Sequence, residues 1–323
     1  MSTADGSAVG RRPLRLAVTG ANGYIGGRFV AMASGSGRFE VISVVRSPAS
    51  WVHGEVRKVS SLQNDAIAAL QGADAVVHLA GANEVVVQDQ PHKSVESTVS
   101  ASRAVAEACS ALGVARLVYV STVHVYGAAL RPGAVVDEGT IPAPQHPYAE
   151  ARLRSERIVT SSAKDSEVVV LRLTNGVGPP PDPSVDRWSL VVNDLCRQVV
   201  CQGHVRLRSD GTQWRDFVAL DDVDRALLAA ADPSGIPPGT YNLGSGEPRT
   251  VFEVATEVAR LGAAHGFGEG TVEAPPARAD PPAAYRVSVE RLAHVGFRPR
   301  TPLTTAVGDT LAFCAMHRGR ICG

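Results

Sequence analysis

Residues 14–26 read Leu-Arg-Leu-Ala-Val-Thr-Gly-Ala-Asn-Gly-Tyr-Ile-Gly, an apolar run that leads directly into a turn with a glycine at every third position. The run predicts a buried β-strand, and the residues that follow the turn predict a helix. A strand, a glycine turn and a helix N-terminus form an anion site, because backbone N–H groups point outward and glycines allow a close approach. We therefore expect a dinucleotide with its pyrophosphate at this turn, bound by Gly20, Asn22, Gly23, Tyr24, Ile25 and Gly26.

Short Val/Leu-rich segments alternate with helical segments along the next part of the chain. Such continuous apolar strands are typical of a parallel sheet that is covered on both faces. Beyond Gly176 the pattern changes to proline-rich loops and shorter elements. We predict an α/β fold, a Rossmann-like doubly wound parallel sheet with a smaller C-terminal substrate lobe. The expected boundaries are a disordered tail at 1–12, a dinucleotide-binding domain at 13–178 to which 215–232 return, and a substrate-binding lobe at 179–214 and 233–323.

Bulk composition argues against several classes of partner. The 323 residues include 32 basic and 32 acidic ones, so charge indicates neither nucleic acid nor an anionic membrane. No apolar run approaches the ~20 residues that span a bilayer, and we expect no signal peptide. The five cysteines are scattered without metal-ligand spacing, which favours reduced thiols in a cytoplasmic protein and no metal site.

The end of the second predicted strand bears on the choice of dinucleotide. An acidic side chain there bonds the ribose hydroxyls and favours NAD, whereas an arginine accommodates the 2′-phosphate of NADP. This strand ends at Arg46, with no acidic residue next to it. Since only three of the 32 basic residues are lysines, an ordinary surface arginine is the alternative interpretation. We expect NADP as the cofactor, with NAD as the alternative.

Three further stretches follow the glycine turn in a characteristic order. Residues 77–81 read Val-His-Leu-Ala-Gly, residues 120–127 read Val-Ser-Thr-Val-His-Val-Tyr-Gly, and residues 148–152 read Tyr-Ala-Glu-Ala-Arg. Together with the turn, this set resembles the extended short-chain dehydrogenase/reductase family, in its epimerase/dehydratase branch of nucleotide-sugar enzymes. Markers at 172–179, 215–223 and 241–244 extend the resemblance over nearly the whole chain.

The resemblance implies a catalytic group. Tyr148 takes the place of the general acid or base, and Thr122 that of a hydroxyl that shares the substrate oxygen. Arg152 stands where the family has a lysine that lowers the pKa of the tyrosine and binds the nicotinamide ribose. A phenol of pKa near ~10 is a poor base at neutral pH, and a cation four residues later on the same helix face favours its ionisation. The resemblance also implies cofactor contacts at Leu79, Ala80, Gly81, Tyr148 and Arg152.

Arginine at position 152 departs from the family pattern. A guanidinium holds its charge more persistently than an ammonium, but its planar fork is larger and does not simply replace a donor to two ribose hydroxyls. Three interpretations stay open: a tolerated replacement, altered chemistry, or an enzyme that binds cofactor and turns over little. Two smaller departures are the absence of an acid at Val59-Ser60-Ser61 and the presence of Thr98 where a helix asparagine is usual.

The residues after Thr122 narrow the reaction that the resemblance implies. Dehydratases of this branch have an Asp-Glu pair there, whereas this chain has Val123-His124, which argues against sugar 4,6-dehydration. We interpret His124 as a neutral, packed histidine beside the substrate. Because Arg46 replaces the acid usual in epimerases, we expect a nucleotide-sugar 4-ketoreductase that uses NADPH with Tyr148 as general acid. The alternatives are a NAD-dependent nucleotide-sugar 4-epimerase and a catalytically weak cofactor-binding sensor or scaffold of the same fold.

The expected substrate is a small molecule, a nucleotide-diphosphate sugar, although other ketones such as a polyketide or steroid stay open. Its diphosphate needs cations and amides near the smaller lobe, and Asn175 and Arg215 match family positions that contact it. Arg278 lies near a third such position, and Thr122 and His124 complete the expected substrate contacts. For Arg215, an ion pair with a nearby aspartate is the alternative.

The resemblance also implies an oligomeric state. The two predicted helices that start near Val95 and Tyr148 form a four-helix dimer interface in this family. Both are apolar enough on one side to pack in that way. We therefore expect a homodimer.

Overall fold

The computed structural model describes residues 12–322, and its centre is a seven-stranded parallel sheet. In chain order the strands are β1 (Leu14–Thr19), β2 (Phe39–Val45), β3 (Glu55–Lys58), β4 (Ala75–His78), β5 (Arg116–Thr122), β6 (Val135–Val136), β7 (Glu167–Leu173), β8 (Asn175–Val177), β9 (Val205–Arg206), β10 (Trp214–Ala219), β11 (Gly239–Leu243), β12 (Pro248–Thr250), β13 (Val272–Glu273) and β14 (Arg286–Val287). The helices are α1 (Tyr24–Gly35), α2 (Leu62–Leu70), α3 (Glu84–Asp89), α4 (Pro91–Leu112), α5 (Pro147–Ser162), α6 (Val191–Gln202), α7 (Leu220–Ala231), α8 (Val251–Ala264), α9 (Glu290–His294), α10 (Leu303–Met316) and α11 (Arg318–Ile321). A 3₁₀ helix covers Val123–Ala129.

The central sheet has the strand order β11-β7-β5-β4-β1-β2-β3, and every pairing in it is parallel. The helices α1 and α7 contribute to the apolar layer on one face, and α2, α4 and α5 contribute to the layer on the other. Alternate residues of β1 enter the two layers, with Leu16 and Val18 in the first and Ala17 in the second. The predicted doubly wound fold is therefore confirmed. The strand order reverses between β1 and β4, where such folds open a ligand crevice at the carboxyl ends of the strands.

The rest of the chain forms a smaller unit on that crevice side. Its three-stranded sheet has the order β12-β10-β8, and its apolar core is built largely from α6, α8 and α10. Three strands differ from the expected boundaries. Strand β11 was expected in the smaller lobe but pairs with β7 in the main sheet. It does so because the backbone N–H and C=O groups on the outer side of β7 need hydrogen-bond partners. Strands β8 and β10 were expected in the dinucleotide-binding domain, but β10 pairs with β8 and β12 in the smaller sheet, whereas α7 packs back onto the main sheet.

The chain termini add two observations. The predicted tail at residues 1–12 lies outside the described residues except for Arg12, which donates to both carboxylate oxygens of Asp74 at 2.9 and 2.8 Å. The expectation of five reduced thiols is wrong at two positions, because α11 packs beside α6 and Cys201 and Cys322 form a disulfide there. The other three, Cys109, Cys196 and Cys314, are buried free thiols. Within residues 12–322 no helix has the length and hydropathy needed to cross a membrane.

A buried ion pair ties α5 to the central sheet. Arg172 on β7 donates from Nη2 to Glu156 Oε2 on α5 at 2.8 Å, and Ser121 donates to the other oxygen of the same carboxylate. The side chains of Arg172 and Glu156 are only 8% and 7% exposed. Removing one partner of such a pair leaves an uncompensated charge in the interior. The pair therefore fixes α5 against the carboxyl ends of β5 and β7.

Replacing Glu156 with alanine should lower the free energy of unfolding by about 3–5 kcal/mol, because the Arg172 charge then stays buried without a partner. Urea unfolding followed by circular dichroism measures this change. Glu150→Ala, at an exposed position of the same helix, is the matched control and should cost no more than about 0.5 kcal/mol. Equal losses in the two variants would contradict a specific role for the buried pair.

Candidate active site

The glycine turn lies between β1 and α1, and close contacts explain its glycines. Gly20 has φ of 72°, and a Cβ there would lie 2.9 Å from the backbone nitrogen of Ala80. A Cβ on Gly26 would collide with the carbonyl oxygen of Gly20. Gly23 is the N-cap of α1 and has no side chain to satisfy the first N–H groups of the helix. These groups are therefore available to an anion at the end of the turn.

The other residues of the turn connect it to its surroundings. Asn22 Nδ2 donates to the carbonyl oxygen of Ser47 at 3.1 Å, which holds the loop after β2 beside the turn. The Tyr24 hydroxyl donates to the carbonyl oxygen of Gly178 at 2.6 Å, and burial raises its pKa to about 12. Tyr24 thus uses its hydroxyl to join α1 to the start of the smaller unit. Arg46, directly after β2, is exposed and has no ion-pair partner within residues 12–322.

A chain of buried hydrogen bonds fixes the loop that follows β4. The backbone N–H of Ala80 donates to Thr19 Oγ1 at 3.3 Å, and this hydroxyl lies 2.6 Å from His78 Nδ1. His78 Nε2 lies 3.1 Å from Ser102 Oγ, which donates to the carbonyl oxygen of Thr98 at 2.9 Å. Because each hydroxyl has one proton to give, Nδ1 accepts from Thr19 and Nε2–H donates to Ser102. His78 is therefore a neutral histidine that links the loop to α4.

Thr98 also takes part in holding this loop. Its Oγ1 accepts a hydrogen bond from the backbone N–H of Ala82 at 3.2 Å. The loop carries the three predicted cofactor contacts Leu79, Ala80 and Gly81. The position at which the family usually has asparagine thus supports the loop through a hydroxyl.

Tyr148 and Arg152 lie one helical turn apart near the start of α5. His146 caps this helix, with Nδ1 accepting from the backbone N–H of Ala149 at 3.3 Å. The guanidinium carbon of Arg152 lies 5.4 Å from the centre of the Tyr148 ring. Thr122 ends β5, and its Oγ1 accepts from a backbone N–H at 3.2 Å, which leaves its hydroxyl proton free to donate.

Arg152 is a buried cation with unused donors. It is 8% exposed and, within residues 12–322, forms one hydrogen bond, from Nη1 to the carbonyl oxygen of Val120 at 3.4 Å. Its Nε has no partner in that range, and a Cβ on Gly81 would lie 3.0 Å from Nη2. Burial lowers the pKa of Arg152, but the phenol groups of Tyr148 and Tyr119 raise it by more. A permanent positive charge therefore occupies the position of the family's lysine.

One cavity of about 300 Å³ joins these features. Its lining includes Gly20, Gly23, Tyr24, Ile25, Gly26, Leu79, Gly81, Tyr148 and Arg152. A nicotinamide dinucleotide fits this donor set, because uncapped N–H groups lie at one end and a phenol with a buried cation at the other. Thr122 and the other predicted substrate contacts are not part of this lining, so the cavity corresponds to the cofactor end of the predicted site.

His124 lies outside the lining of this cavity, beside His146. The ring centre of His124 is 5.6 Å from that of His146. Burial, followed by His146 and the positive charge of Arg215, lowers the pKa of His124 to about 4. His124 is thus neutral near pH 7.

The alternative ion pair for Arg215 does not form. Asp221 pairs with Arg28, and Asp222 pairs with Arg225. The Arg215 guanidinium instead donates to the carbonyl oxygen of its neighbour Trp214 at 2.8 Å. Arg215 therefore keeps a charge that no carboxylate within residues 12–322 neutralises.

The remaining two predicted substrate residues differ in position. Asn175 Nδ2 donates to the carbonyl oxygen of Asp216 at 2.8 Å, so its amide joins β8 to β10 and leaves Oδ1 to accept from a ligand. Arg278 is 58% exposed, and its Nε lies 3.7 Å from Asp210 Oδ2. The structure places Arg278 in an exposed ion pair with Asp210, separate from the cofactor cavity.

Three charged residues of the cavity, Glu84, Asp186 and Arg187, were not found from the sequence. Arg187, in the loop between β8 and α6, donates from Nη2 to both oxygens of Glu84 at 2.9 and 3.2 Å. Both residues line the cofactor cavity. No local pattern indicated this pair, because its members are 103 residues apart and meet only through the path of the loop.

Comparison with known proteins shows the class of the protein, which is an enzyme of the short-chain dehydrogenase/reductase type. A family model matches residues 16–244. The chain belongs to the NAD dependent epimerase/dehydratase family.

Individual relatives lie at moderate identity. The dTDP-6-deoxy-L-talose 4-dehydrogenase (NAD(P)(+)) of Kitasatospora kifunensis is 29% identical, with 80% of this chain and 86% of the relative covered. The UDP-glucose 4-epimerase of Neisseria meningitidis serogroup B is 26% identical, with 74% and 80% covered. The solved structure of MoeE5 in complex with UDP-glucose and NAD has a TM-score of 0.78 and 27% identity, with 94% of this chain and 99% of MoeE5 covered. Since these names include a dehydrogenase and an epimerase, the family alone does not decide the reaction.

The buried histidine gives a pH-dependent stability. Burial, followed by the charge of Arg152, lowers the pKa of His78 from 6.5 to about 3, so between these values the unfolded chain binds a proton that the folded chain does not. The free energy of unfolding should therefore fall as the pH decreases through this interval, by up to ~1.4 kcal/mol per pH unit from this group. Urea unfolding at several pH values should show a shallower dependence for His78→Gln than for the parent.

His92→Gln, at an exposed position of α4, is the control for this measurement and should retain the parental pH dependence. An unchanged slope in His78→Gln would show that His78 is not the group that titrates.

Proposed function

We propose that the chain is a nucleotide-sugar 4-ketoreductase that uses NADPH, with Tyr148 as general acid. The observation that carries the proposal is the pairing of Tyr148 with Arg152, 5.4 Å apart at the cofactor cavity. The dehydrogenase of Kitasatospora kifunensis, whose name states a 4-dehydrogenase with NAD(P)(+), supports the reaction class. A nucleotide-diphosphate sugar as substrate is supported by the names of the relatives and by the unneutralised charge of Arg215.

The residues of the chain divide the work of the reaction. The residues of the glycine turn and of the loop after β4 would hold NADPH, which would supply the hydride for the carbonyl carbon of the substrate. Tyr148 donates its phenolic proton to the carbonyl oxygen, and Thr122 donates a hydrogen bond to the same oxygen. The buried charge of Arg152 stabilises the phenolate that remains. Of the three interpretations of Arg152, we adopt the tolerated replacement, because its charge persists and Gly81 leaves room for the guanidinium.

The corner after β2 supports NADP. Arg46 is exposed there, and the hydrogen bond from Asn22 to Ser47 holds its loop beside the glycine turn. Lys58 ends β3 in register with Val45, so a second basic residue lies at the same corner. Two cations at this corner suit a 2′-phosphate better than free ribose hydroxyls.

A NAD-dependent nucleotide-sugar 4-epimerase is the second candidate. It is favoured by the similarity to an epimerase and to MoeE5, whose structure contains UDP-glucose and NAD. An epimerase oxidises and re-reduces one carbon, so it keeps its cofactor bound. NAD(H) present in the purified protein would therefore favour this candidate over the reductase.

We also propose a homodimer through α4 and α5. The two helices pack against each other along the surface of the chain. Arg154 on α5 pairs with Glu96 on α4 at 2.8 Å, so its charge is already balanced within one protomer. This arrangement leaves the two helices as one continuous surface for a second copy.

The reaction is tested by NADPH oxidation in the presence of a nucleotide-bound 4-keto-6-deoxyhexose. We expect reduction of the ketone by the parent chain and a decrease of kcat by about 10²–10⁴-fold in Tyr148→Phe, which removes the proton donor. Tyr241→Phe, in the central sheet away from the cavity, is the matched control and should retain kcat. No ketone reduction combined with interconversion of sugar epimers would contradict the reductase.

The cofactor assignment has its own test. Titration of the protein with NADPH and NADH should show tighter binding of NADPH. Arg46→Ala should weaken the binding of NADPH by roughly tenfold and leave that of NADH unchanged, because only NADPH carries the 2′-phosphate. Arg318→Ala, at an exposed position of α11, is the control. Tighter NADH binding that Arg46→Ala does not alter would reverse the assignment.

A further inference from the structure

We propose that Arg187 is a cofactor-binding residue whose guanidinium releases Glu84 and binds the diphosphate of the dinucleotide, from a loop between β8 and α6 that is already held beside the site. The inference rests on the dinucleotide site of the proposed function and assigns that site a residue from the smaller unit.

Arg187 and Glu84 face each other across the cofactor cavity. Glu84 is the first residue of α3, in the segment that follows β4, whereas Arg187 belongs to the loop after β8. Both line the cavity that also contains Gly20, Gly23 and Gly26. The positive charge of Arg187 is thus already beside the predicted diphosphate site.

The ion pair leaves Arg187 with unused hydrogen-bonding capacity. Its side chain is 15% exposed, and its Nη1 is buried and has no partner within residues 12–322. A guanidinium has five N–H donors, and a diphosphate has more acceptor oxygens than the single carboxylate that now faces it. A ligand diphosphate therefore satisfies Arg187 more fully than Glu84 does.

The cost of breaking the existing pair is small. The Glu84 side chain is 42% exposed, so water can hydrate its carboxylate when Arg187 leaves. Ion pairs with an exposed partner contribute little to stability. The exchange of Glu84 for a diphosphate is therefore favourable once the dinucleotide is present.

The backbone of Arg187 is fixed relative to the glycine turn. Asn193 Nδ2 donates to the carbonyl oxygen of Arg187 at 3.3 Å and lies 3.2 Å from the hydroxyl oxygen of Tyr24. Tyr24 is the first residue of α1, whose uncapped N–H groups form the predicted anion site. Two side chains thus hold the loop at a set distance from that site.

A nucleotide sugar also carries a diphosphate, so two ligands share this chemistry. The cavity that Arg187 lines contains the predicted cofactor contacts, whereas the predicted substrate residues Asn175 and Arg215 are not part of its lining. This placement favours the dinucleotide as the ligand of Arg187.

Calorimetric titration of the full chain with ADP, adenosine and UDP tests the inference. Arg187→Gln should weaken the binding of ADP by about 10–100-fold, which is the usual effect of losing a charge-assisted contact. The same variant should leave the affinities for adenosine and UDP unchanged. Glu84→Gln should increase the affinity for ADP several-fold, because Arg187 then has no competing carboxylate. Arg154→Gln, which breaks a surface ion pair at 2.8 Å, is the matched control and should change none of the three.

Each alternative outcome has a distinct meaning. If Arg187→Gln weakens the binding of ADP and of adenosine equally, Arg187 acts through the fold. If it weakens the binding of UDP alone, Arg187 belongs to the substrate site. Either result would overturn the inference. Failure of the parent chain to bind ADP would remove the proposed cofactor site itself. If the two variants change ADP affinity as expected but the parent chain reduces no 4-keto sugar, the proposed reaction would be refuted and the role of Arg187 would stand.

Discussion

The close approach of the glycine turn to the loop after β4 is the constraint on which the site depends. Gly20 has no side chain to separate it from Ala80, and the hydrogen bond from Ala80 to Thr19 holds the two segments together. Thr19 in turn positions His78, which reaches α4 through Ser102. One chain of hydrogen bonds thus joins the loop after β4 to strands β1 and β4 and to helix α4.

Arginine serves as the buried cation at several points of this chain. Arg172 neutralises Glu156 beneath α5, and Arg116 donates to carbonyl oxygens at the end of α7, including that of Ala230 at 2.8 Å. Arg152 belongs to the same pattern, with its charge beside Tyr148. A guanidinium suits such positions because it is weakly hydrated and spreads its charge over several donors. The replacement of lysine at position 152 is thus consistent with how the rest of the interior handles positive charge.

The sequence was sufficient for the features that depend on local pattern. The run at 14–19 and the spacing of Gly20, Gly23 and Gly26 predicted strand, turn and helix, because backbone sterics and apolar burial act over a few residues. The features that it did not reveal join distant segments. The Glu84–Arg187 pair depends on the path of a long loop, and the position of β11 depends on the free edge of β7. The Cys201–Cys322 disulfide depends on α11 packing beside α6, which no spacing of cysteines encodes.

The contact between Gly81 and Arg152 has a consequence for substitutions at position 81. A methyl group at position 81 would lie 3.0 Å from Nη2 and 3.1 Å from Nη1 of Arg152, although the backbone at Gly81 does not itself demand glycine. The atoms that such a methyl group would meet are the far end of a long, flexible side chain. An alanine at position 81 would therefore require the Arg152 guanidinium to move by a few tenths of an ångström, so the residue at position 81 limits where that charge can lie beside Tyr148.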